Sequence, residues 1–418
     1  MVREREREAT DVVASSVETD QHRKPWERYL KADLGLRNHW YPAFFSEELA
    51  EGETRAETIC GERIIFKRAD GKVHGIEDRC AHRGIAFSDR PECYTKNTVT
   101  CWFHGFTYDV RDGKLVQVLT EANSAIVGKL KLRAYPTHEL NKVVFVFIGD
   151  GDPPPPDTDI QPKFHNKKLA FKPLARIKIK CNWRVAAENG FDAAHIYGHR
   201  FAELFKHSPL AVPLSTYPTT KDIVKTVDIP NGPKGIIKQD DISVFEAEVE
   251  GVKVRAANYP EDAPAVVAGE LFPIWVGVYL PCGLEVDPFP NTGMIHFEWY
   301  VPIDDEYHMY TIIQSQYVED EVEERKFYEE TEKLWGPLVF QRPGVEPEGF
   351  NNFDAFGRKH SFHSYQNEGW WRRERLFKPD YVIMEWRKLV STHARGIQTW
   401  GDWQRKKPDE DEQLIYPR

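Results

Sequence analysis

CAHRGIAFSDRPECYTKNTVTCWFHGFTYD (80–109) is the stretch on which the fold turns. It carries two Cys-His pairs, Cys80-Ala81-His82 and Cys101-Trp102-Phe103-His104, with eighteen residues between them. Each pair sits just beyond a strand-like run and so belongs at the tip of a loop. One cysteine and one histidine per loop is an interleaved order. A zinc finger of the common kind segregates its ligands, two cysteines and then two histidines. The interleaved order suits a two-iron cluster in which one iron takes both thiolates and the other both imidazoles. Exchanging two thiolates for neutral histidines makes such a cluster less negative and raises its potential to roughly −150 to +300 mV. Two alternatives stand beside it: a structural Cys2His2 zinc site, or four unrelated buried residues. Cys93, between the pairs, fits no simple ligand set and reads as a small core residue, as do Cys60, Cys181 and Cys282.

Outward from these loops the sequence is rich in strand signals. IIFKRADGKVHGIED (64–78) sets Ala69-Asp70-Gly71 between two β-rich runs and reads as a hairpin. TCWFHGFTYDVRDGKLVQV (100–118) repeats the device with Asp112-Gly113. KVVFVFIGD (142–150) predicts a buried strand, and its apolar run is far too short to span a membrane. Four prolines, 153–156, then form a stiff spacer and the expected domain boundary. Past it, NWRVAAENGFDAAHIYGHR (182–200) has helix-compatible spacing, weakened by Gly190. WVGVYL (275–280) and MIHFEWYVP (294–302) are strand-like, and EDEVEERKFYEETEKLWGPL (319–338) predicts a helix with charges at helical spacing. The expected organisation is a mobile tail over 1–24, a β-rich cluster domain with an N-terminal segment over 25–155, a larger domain over 156–400 and a polar tail over 401–418. The fold class is α+β, the larger domain having a central antiparallel sheet flanked by helices.

Composition narrows the function classes. The 418 residues include 56 Lys+Arg against 66 Asp+Glu, a net charge of −10, which excludes the basic footprint of a general nucleic-acid binder. Six cysteines are too sparse for a disulfide-stapled secreted scaffold. The first twenty residues alternate Arg and Glu where a secretory leader needs an apolar run. The expectation is a soluble, cytoplasmic protein with neither membrane nor nucleic acid as a partner. Within 61–115 the balance reverses, with ten Lys+Arg against eight Asp+Glu. An acidic redox partner would find this surface, around Arg79, Arg83 and Lys96, relatively attractive. A solvated face of mixed charge is the plainer alternative.

A second constellation follows the prolines. Asp192, His195 and His199 fall at i, i+3 and i+7, which share one face if the segment is an α-helix. His195 and His199 could then bind one metal. A carboxylate from elsewhere would complete a facial triad with open positions for O2 and substrate on Fe(II). Such a His pair is a weak signal alone, since surface helices carry many; beside a one-electron cluster it gains weight. Spacing does not identify the third ligand, because carboxylates are abundant. His360 and His363 read as surface or packing residues.

CAHRG (80–84) and CWFHGFTYD (101–109) resemble the Rieske [2Fe–2S] signature, and ENGFDAAHIYGH (188–199) resembles the iron-binding segment of Rieske non-haem iron ring-hydroxylating oxygenases. The likeness covers most of 25–400. LRNHWYP (36–42), HFEWYVPID (296–304) and EWRKL…ARGIQT (385–399) are most similar to the subgroup of carbazole 1,9a-dioxygenase and 2-oxoquinoline 8-monooxygenase. The resemblance implies a catalytic α subunit with one Rieske cluster on Cys80, His82, Cys101 and His104, and one mononuclear Fe(II). It makes Asp354, in EGFNNFDAF (348–356), the third ligand beside His195 and His199. Asp192 becomes an electron bridge to a Rieske histidine of a neighbouring subunit, hence a ring-shaped homotrimer. Relatives usually have a second acid where Phe353 stands, and the following FGRKHSFHSY (356–365) also departs from them. By the same resemblance Gly190, Val276, Phe289, Glu298 and Phe350 line the pocket, Asn351 stands beside the iron, and the Gly190 carbonyl accepts a ring N–H. Electrons would come from NADH through a reductase and a ferredoxin. With O2 they would cis-dihydroxylate a planar heteroaromatic such as carbazole by angular 1,9a attack. Monooxygenation of a quinolone-type ring is the alternative, and a non-catalytic iron–sulfur or zinc protein is the alternative from another class.

Overall fold

The computed structural model describes residues 26–192, 194–200, 202, 211–268, 274–335, 349–367 and 369–401. The expected tails, 1–24 and 401–418, lie outside them apart from Gly401. Both expected hairpins form. Glu62–Ala69 pairs with Lys72–Glu77 through Asp70 and Gly71, whose φ values of 54° and 71° give a turn matched to the twist of its strands. Phe106–Asp109 pairs with Leu115–Val118. In that second turn Gly113 has φ +78°, and a Cβ would lie 2.3 Å from the Leu132 carbonyl oxygen, so only glycine fits. With Thr54–Ile59, Ala134–Tyr135 and Thr98–Thr100 these strands make a four-stranded and a three-stranded sheet. Their shared core is Ile65, Ile76, Phe87, Val99, Tyr108 and Leu115, and it encloses Cys80 and Cys101.

The larger body is a seven-stranded, wholly antiparallel sheet in the order Leu169–Ile179, His308–Tyr317, Met294–Pro302, Gly283–Asp287, Trp275–Tyr279, Lys234–Gln239, Val224–Asp228. Every residue of Met294–Pro302 is buried, because both faces of this strand are covered. Period-two alternation divides its side chains between them. Phe297 and Trp299 meet Phe164 edge-on at 5.1 and 5.2 Å between ring centroids. His296, Glu298 and Tyr300 point the other way, toward the helices Trp183–Phe191 and Phe350–Tyr365, where polar chemistry collects.

The proline run is a boundary in the chain but not in the packing. One continuous core joins Trp26 and Tyr29, the strands His39–Phe45 and Val143–Ile148, the seven-stranded sheet and the helix Tyr381–His393. Trp40 Nε1 donates to the Pro154 carbonyl at 2.8 Å. Asp159, just past the prolines, accepts from the Trp40 amide and the His39 ring at 2.8 Å each, and from Arg395. Trp183 Nε1 donates to the Ala32 carbonyl at 2.7 Å. The lobe that carries the Cys-His loops is therefore smaller than segment 25–155; its flanking strands are built into the larger body.

Three expectations need correction or completion. The segment 182–200 is not one helix: the α-helix Trp183–Phe191 stops, Asp192 is extended (φ −70°, ψ 117°), and Ala194–His199 is a 3-10 turn. Asp192 causes the break, because its Oδ1 takes the Ala194 amide at 2.8 Å. Cys93 is exposed rather than a core residue, while Cys60, Cys181 and Cys282 are buried. The helix expected over 319–338 runs Glu321–Glu330 and continues as a π-turn, Thr331–Trp335; residues 336–338 lie outside the described residues. Among the described residues no helix is long and apolar enough to cross a membrane.

Candidate functional site

The two Cys-His loops share one backbone plan. The Cys80 amide donates to the Ile85 carbonyl and the Cys101 amide to the Phe106 carbonyl, both at 2.8 Å. The amides of Gly84 and Gly105 return to the carbonyls of Cys80 and Cys101, both at 2.9 Å. The loops thus present their donors as a pair. Cys80 and Cys101 are buried, without a disulfide, and the His82 and His104 rings meet edge-on at 4.6 Å nearer the surface. Burial pushes the Cys80 thiol up, so a bound metal is what would hold it as a thiolate. Tyr108 Oη lies 3.7 Å from Cys80 Sγ, placed to donate to that charge. A single tetrahedral zinc would draw its four donors to within about 4 Å of one another. One thiolate and one imidazole from each of two matched loops is the donor set of a two-iron cluster held by two cysteines and two histidines.

The second centre gathers residues far apart in sequence. Among the described residues, His195, His199 and Asp354 are the one set of three such donors whose ligand atoms all lie within 4.8 Å of one another. Asp354 Oδ1 is 3.4 Å from Nε2 of each histidine. Two backbone carbonyls orient the rings: Nδ1 of His195 donates to the Asp192 carbonyl, and Nδ1 of His199 to the Phe350 carbonyl at 2.9 Å. Both Nε2 lone pairs are then free for a metal, the arrangement that outer partners give ligating histidines. Asp354 Oδ1 and Asn351 Oδ1 are buried without a hydrogen-bond partner, as a cation site would leave them. Burial would raise the Asp354 pKa, but a protonated His199 in the metal-free site and the Arg358 guanidinium outweigh it and hold the carboxyl well below the usual range. Two neutral imidazoles and one carboxylate, gathered on one side, fit a mononuclear ferrous ion with open positions.

Around the triad, Glu298 is a hub. Its oxygens accept from His296 Nε2 (2.9 Å), Tyr310 Oη (2.5 Å), Asn351 Nδ2 (3.1 Å) and Tyr300 Oη (2.5 Å). Both oxygens are committed, so Glu298 braces the centre instead of offering a vacant acceptor to a ligand. The apolar wall forms on the His199 side. Phe350 stacks on the His199 ring at 4.0 Å, Phe289 lies 5.0 Å from Phe350, and Ile196, Val212 and Phe353 join them. Val276 is half-buried at the margin of the main core, apart from this cluster. Gly190 abuts Tyr300; a Cβ there would fall 1.8 Å from Tyr300 Oη. The break after Phe191 also alters Gly190. The Ala194 amide, its helical partner, is taken by Asp192, which leaves the Gly190 carbonyl outside the helical ladder. His360 and His363 are exposed on the outer face of Phe350–Tyr365. Of the cations near the cluster, Lys96 is paired with Asp70 at 2.6 Å and Arg83 is exposed on the loop itself.

Residues that the sequence did not single out are Arg358, His296, Tyr300 and Tyr310. Arg358 stands four residues after Asp354, a spacing that usually marks a solvated pair. His296 and Tyr300 share the period-two face of Glu298, and that was the available signal.

A [2Fe–2S] lobe joined to a buried two-histidine, one-carboxylate centre defines a Rieske non-haem iron oxygenase. The chain belongs to the homotrimeric ring hydroxylase family, whose profile matches residues 147–398, and a Rieske [2Fe–2S] domain profile matches residues 39–136. It is 41% identical over 382 residues to the terminal oxygenase component CarAa of carbazole 1,9a-dioxygenase from Metapseudomonas resinovorans, covering 90% of this chain and 95% of that protein. The solved terminal oxygenase of carbazole 1,9a-dioxygenase from Novosphingobium sp. KA1 superposes with a TM-score of 0.81 at 37% identity, over 90% of this chain and 98% of that one. An oxygenase in a reduced complex with ferredoxin in carbazole 1,9a-dioxygenase does so at 39% identity, with the same score and 90% and 94% coverage. The chain is an oxidoreductase of the ring-hydroxylating dioxygenase class, with one Rieske cluster and one mononuclear iron as its cofactors.

Proposed function

We propose that this chain is the oxygenase subunit of a dioxygenase acting on a planar heteroaromatic of the carbazole type. The carrying observation is the buried His195–His199–Asp354 set under the Phe289–Phe350 wall, with the Gly190 carbonyl released from its helix beside it. When bound, the iron supplies O2 activation and the Rieske cluster delivers electrons singly. His195, His199 and Asp354 hold the iron, while the carbonyls of Asp192 and Phe350 fix the ring tautomers. Cys80, His82, Cys101 and His104 hold the cluster. Phe289 and Phe350 lie against a flat ring and exclude water, an apolar lining with few polar groups. The Gly190 carbonyl accepts a ring N–H, which orients the angular carbon pair toward the centre. Asn351 stands beside the iron, pinned by Glu298 and Tyr310.

Asp192 has two duties in this reading. Its carbonyl orients His195, and its carboxylate faces a cluster histidine of a second copy of the chain in a homotrimer, so that Asp192 as a whole bridges the two centres. The ferredoxin complex of the related oxygenase supports an equivalent electron donor here, reduced by an NADH-dependent reductase. Addition of O2 with two electrons and two protons gives the cis-diol; at a carbon bearing nitrogen this is a hemiaminal that opens to an aminobiphenyl-diol. Turnover of carbazole and 2-oxoquinoline under 18O2 with a reconstituted electron chain tests the proposal. Both labelled atoms in an aminobiphenyl-diol are expected. A single labelled atom on the quinolone ring, with carbazole untouched, would overturn it.

A further inference from the structure

On the reading of His195, His199 and Asp354 as an iron site, Arg358 is out of place as a mere packing residue. It lies one turn beyond Asp354 on the helix Phe350–Tyr365, and its side chain is 1% exposed. Nε donates to Asn189 Oδ1 at 2.6 Å, next to Gly190 on the facing helix. The guanidinium lies over Tyr310 and Tyr300, 4.4 and 4.9 Å from their ring centroids. Nη2 stops 3.6 Å from Asp354 Oδ1 and 4.0 Å from Glu298 Oε2, and buried Nη1 has no hydrogen-bond partner. A guanidinium buried with half its fork unsatisfied is unfavourable for stability, and a well-packed apolar side chain of similar volume would be preferred on that ground. The position therefore calls for a charge. The nearest carboxylate oxygen is the one that faces both histidines.

A fixed cation beside a metal's own ligand opposes each unit of positive charge added to the metal, with an energy inverse in distance. Ferric iron carries one more such unit than ferrous. We propose that Arg358 is a positioning residue that ties Asp354 to the Asn189–Gly190 wall and biases the mononuclear iron toward the ferrous state. The balance is one electron from the Rieske cluster to ferric iron, with no proton or bond change at Arg358. Its guanidinium makes that transfer more favourable and keeps the centre ready for O2.

The test is a mediated redox titration of the full, iron-loaded protein. The high-spin ferric EPR signal reports the mononuclear site, and the cluster signal serves as an internal control. Arg358→Gln is expected to move the ferric-to-ferrous ratio at fixed poise by about tenfold toward ferric, a midpoint lower by about 59 mV for one electron. Arg358→Lys, which retains charge without the fork, is expected to stay within about twofold of the parent. The cluster midpoint is expected to stay in place in both. Should the glutamine variant lose its fold, Arg358→Met, which leaves no unpaired donor between the tyrosine rings, carries the same expectation. An unmoved ratio in an iron-loaded neutral variant would overturn the role of Arg358. So would a lysine variant displaced as far as the glutamine one. A parent protein with no iron beyond its cluster would instead overturn the site reading, and this inference with it.

Discussion

The two metal-binding regions are built by opposite routes. In the cluster lobe all four proposed donors lie within 25 positions of chain, 80 to 104, on two loops with the same turn plan and one local core beneath them. At the mononuclear centre His195 and Asp354 stand 159 positions apart, and the backbone groups that orient the histidines come from both regions of chain. The first site is a product of local geometry. The second exists only once the seven-stranded sheet has set Trp183–Phe191 against Phe350–Tyr365. Damage at the first should stay within its lobe, whereas damage at the second should spread along the network that assembles it.

The largest expected effects come from breaking each region at its donors. Cys101→Ser should abolish the visible cluster spectrum, while the larger body keeps its cooperative melt by circular dichroism. Asp354→Ala should abolish product formation with the cluster spectrum intact. Next is Glu298→Gln, which leaves the ligands alone but weakens their bracing; a drop of roughly 10–100-fold in turnover or metal affinity is expected. Full activity in that variant would mean that the hub is incidental. Gly190→Ala sharpens the contrast further. Its methyl group meets Tyr300 Oη, so a loss of roughly 1–3 kcal/mol in denaturant stability is expected. The equivalent change at exposed Gly128, where a Cβ meets nothing but φ is +75°, should have only the backbone cost of about 1 kcal/mol.

Acid should reach the larger body through His308. Its Nδ1 donates to the Cys181 carbonyl at 2.7 Å, and burial followed by the Arg358 charge lowers its pKa to about 3. The folded value is below the unfolded one, so this contribution is fully present above pH 6.5 and is lost as pH falls toward 3. The slope is up to about 1.4 kcal/mol per pH unit. His308→Asn, which retains a donor for Cys181, should flatten the stability profile in that window. The smallest effect is expected on the surface. Arg83→Glu should slow electron delivery from a ferredoxin a few-fold at low salt and leave peroxide-driven turnover unchanged. Lys96→Glu should do less, since Asp70 already pairs with Lys96.

The same contrast explains what could be read from the sequence. The Cys-His loops and both hairpins were legible because their information is local: fixed spacings, turn residues and alternation. Met294–Pro302 was legible as a strand, and its alternation carries the unused signal that His296, Glu298 and Tyr300 share one face. The break at Asp192 was not legible, because helix spacing cannot register an aspartate side chain that captures the Ala194 amide. His195 and His199 do come together, but not by i, i+4 helix spacing; a 3-10 turn and two carbonyls bring them together. Asp354 came from resemblance, since nothing in the spacing separates it from other acids. Arg358 was invisible because burial is a property of the assembled helices and not of its own segment. Cys93 misled for the same reason, as a small apolar residue gives no sign of which side of a loop it occupies.

One chain holds two separate iron centres, one local and one assembled. Iron and acid-labile sulfide counted per chain in the parent and in His195→Ala test it most directly. A third iron beyond the cluster pair is expected in the parent. In the variant that iron should be lost while sulfide and the visible spectrum stay unchanged. A parent with iron and sulfide in equal number, or a variant that loses its sulfide together with its iron, would contradict it.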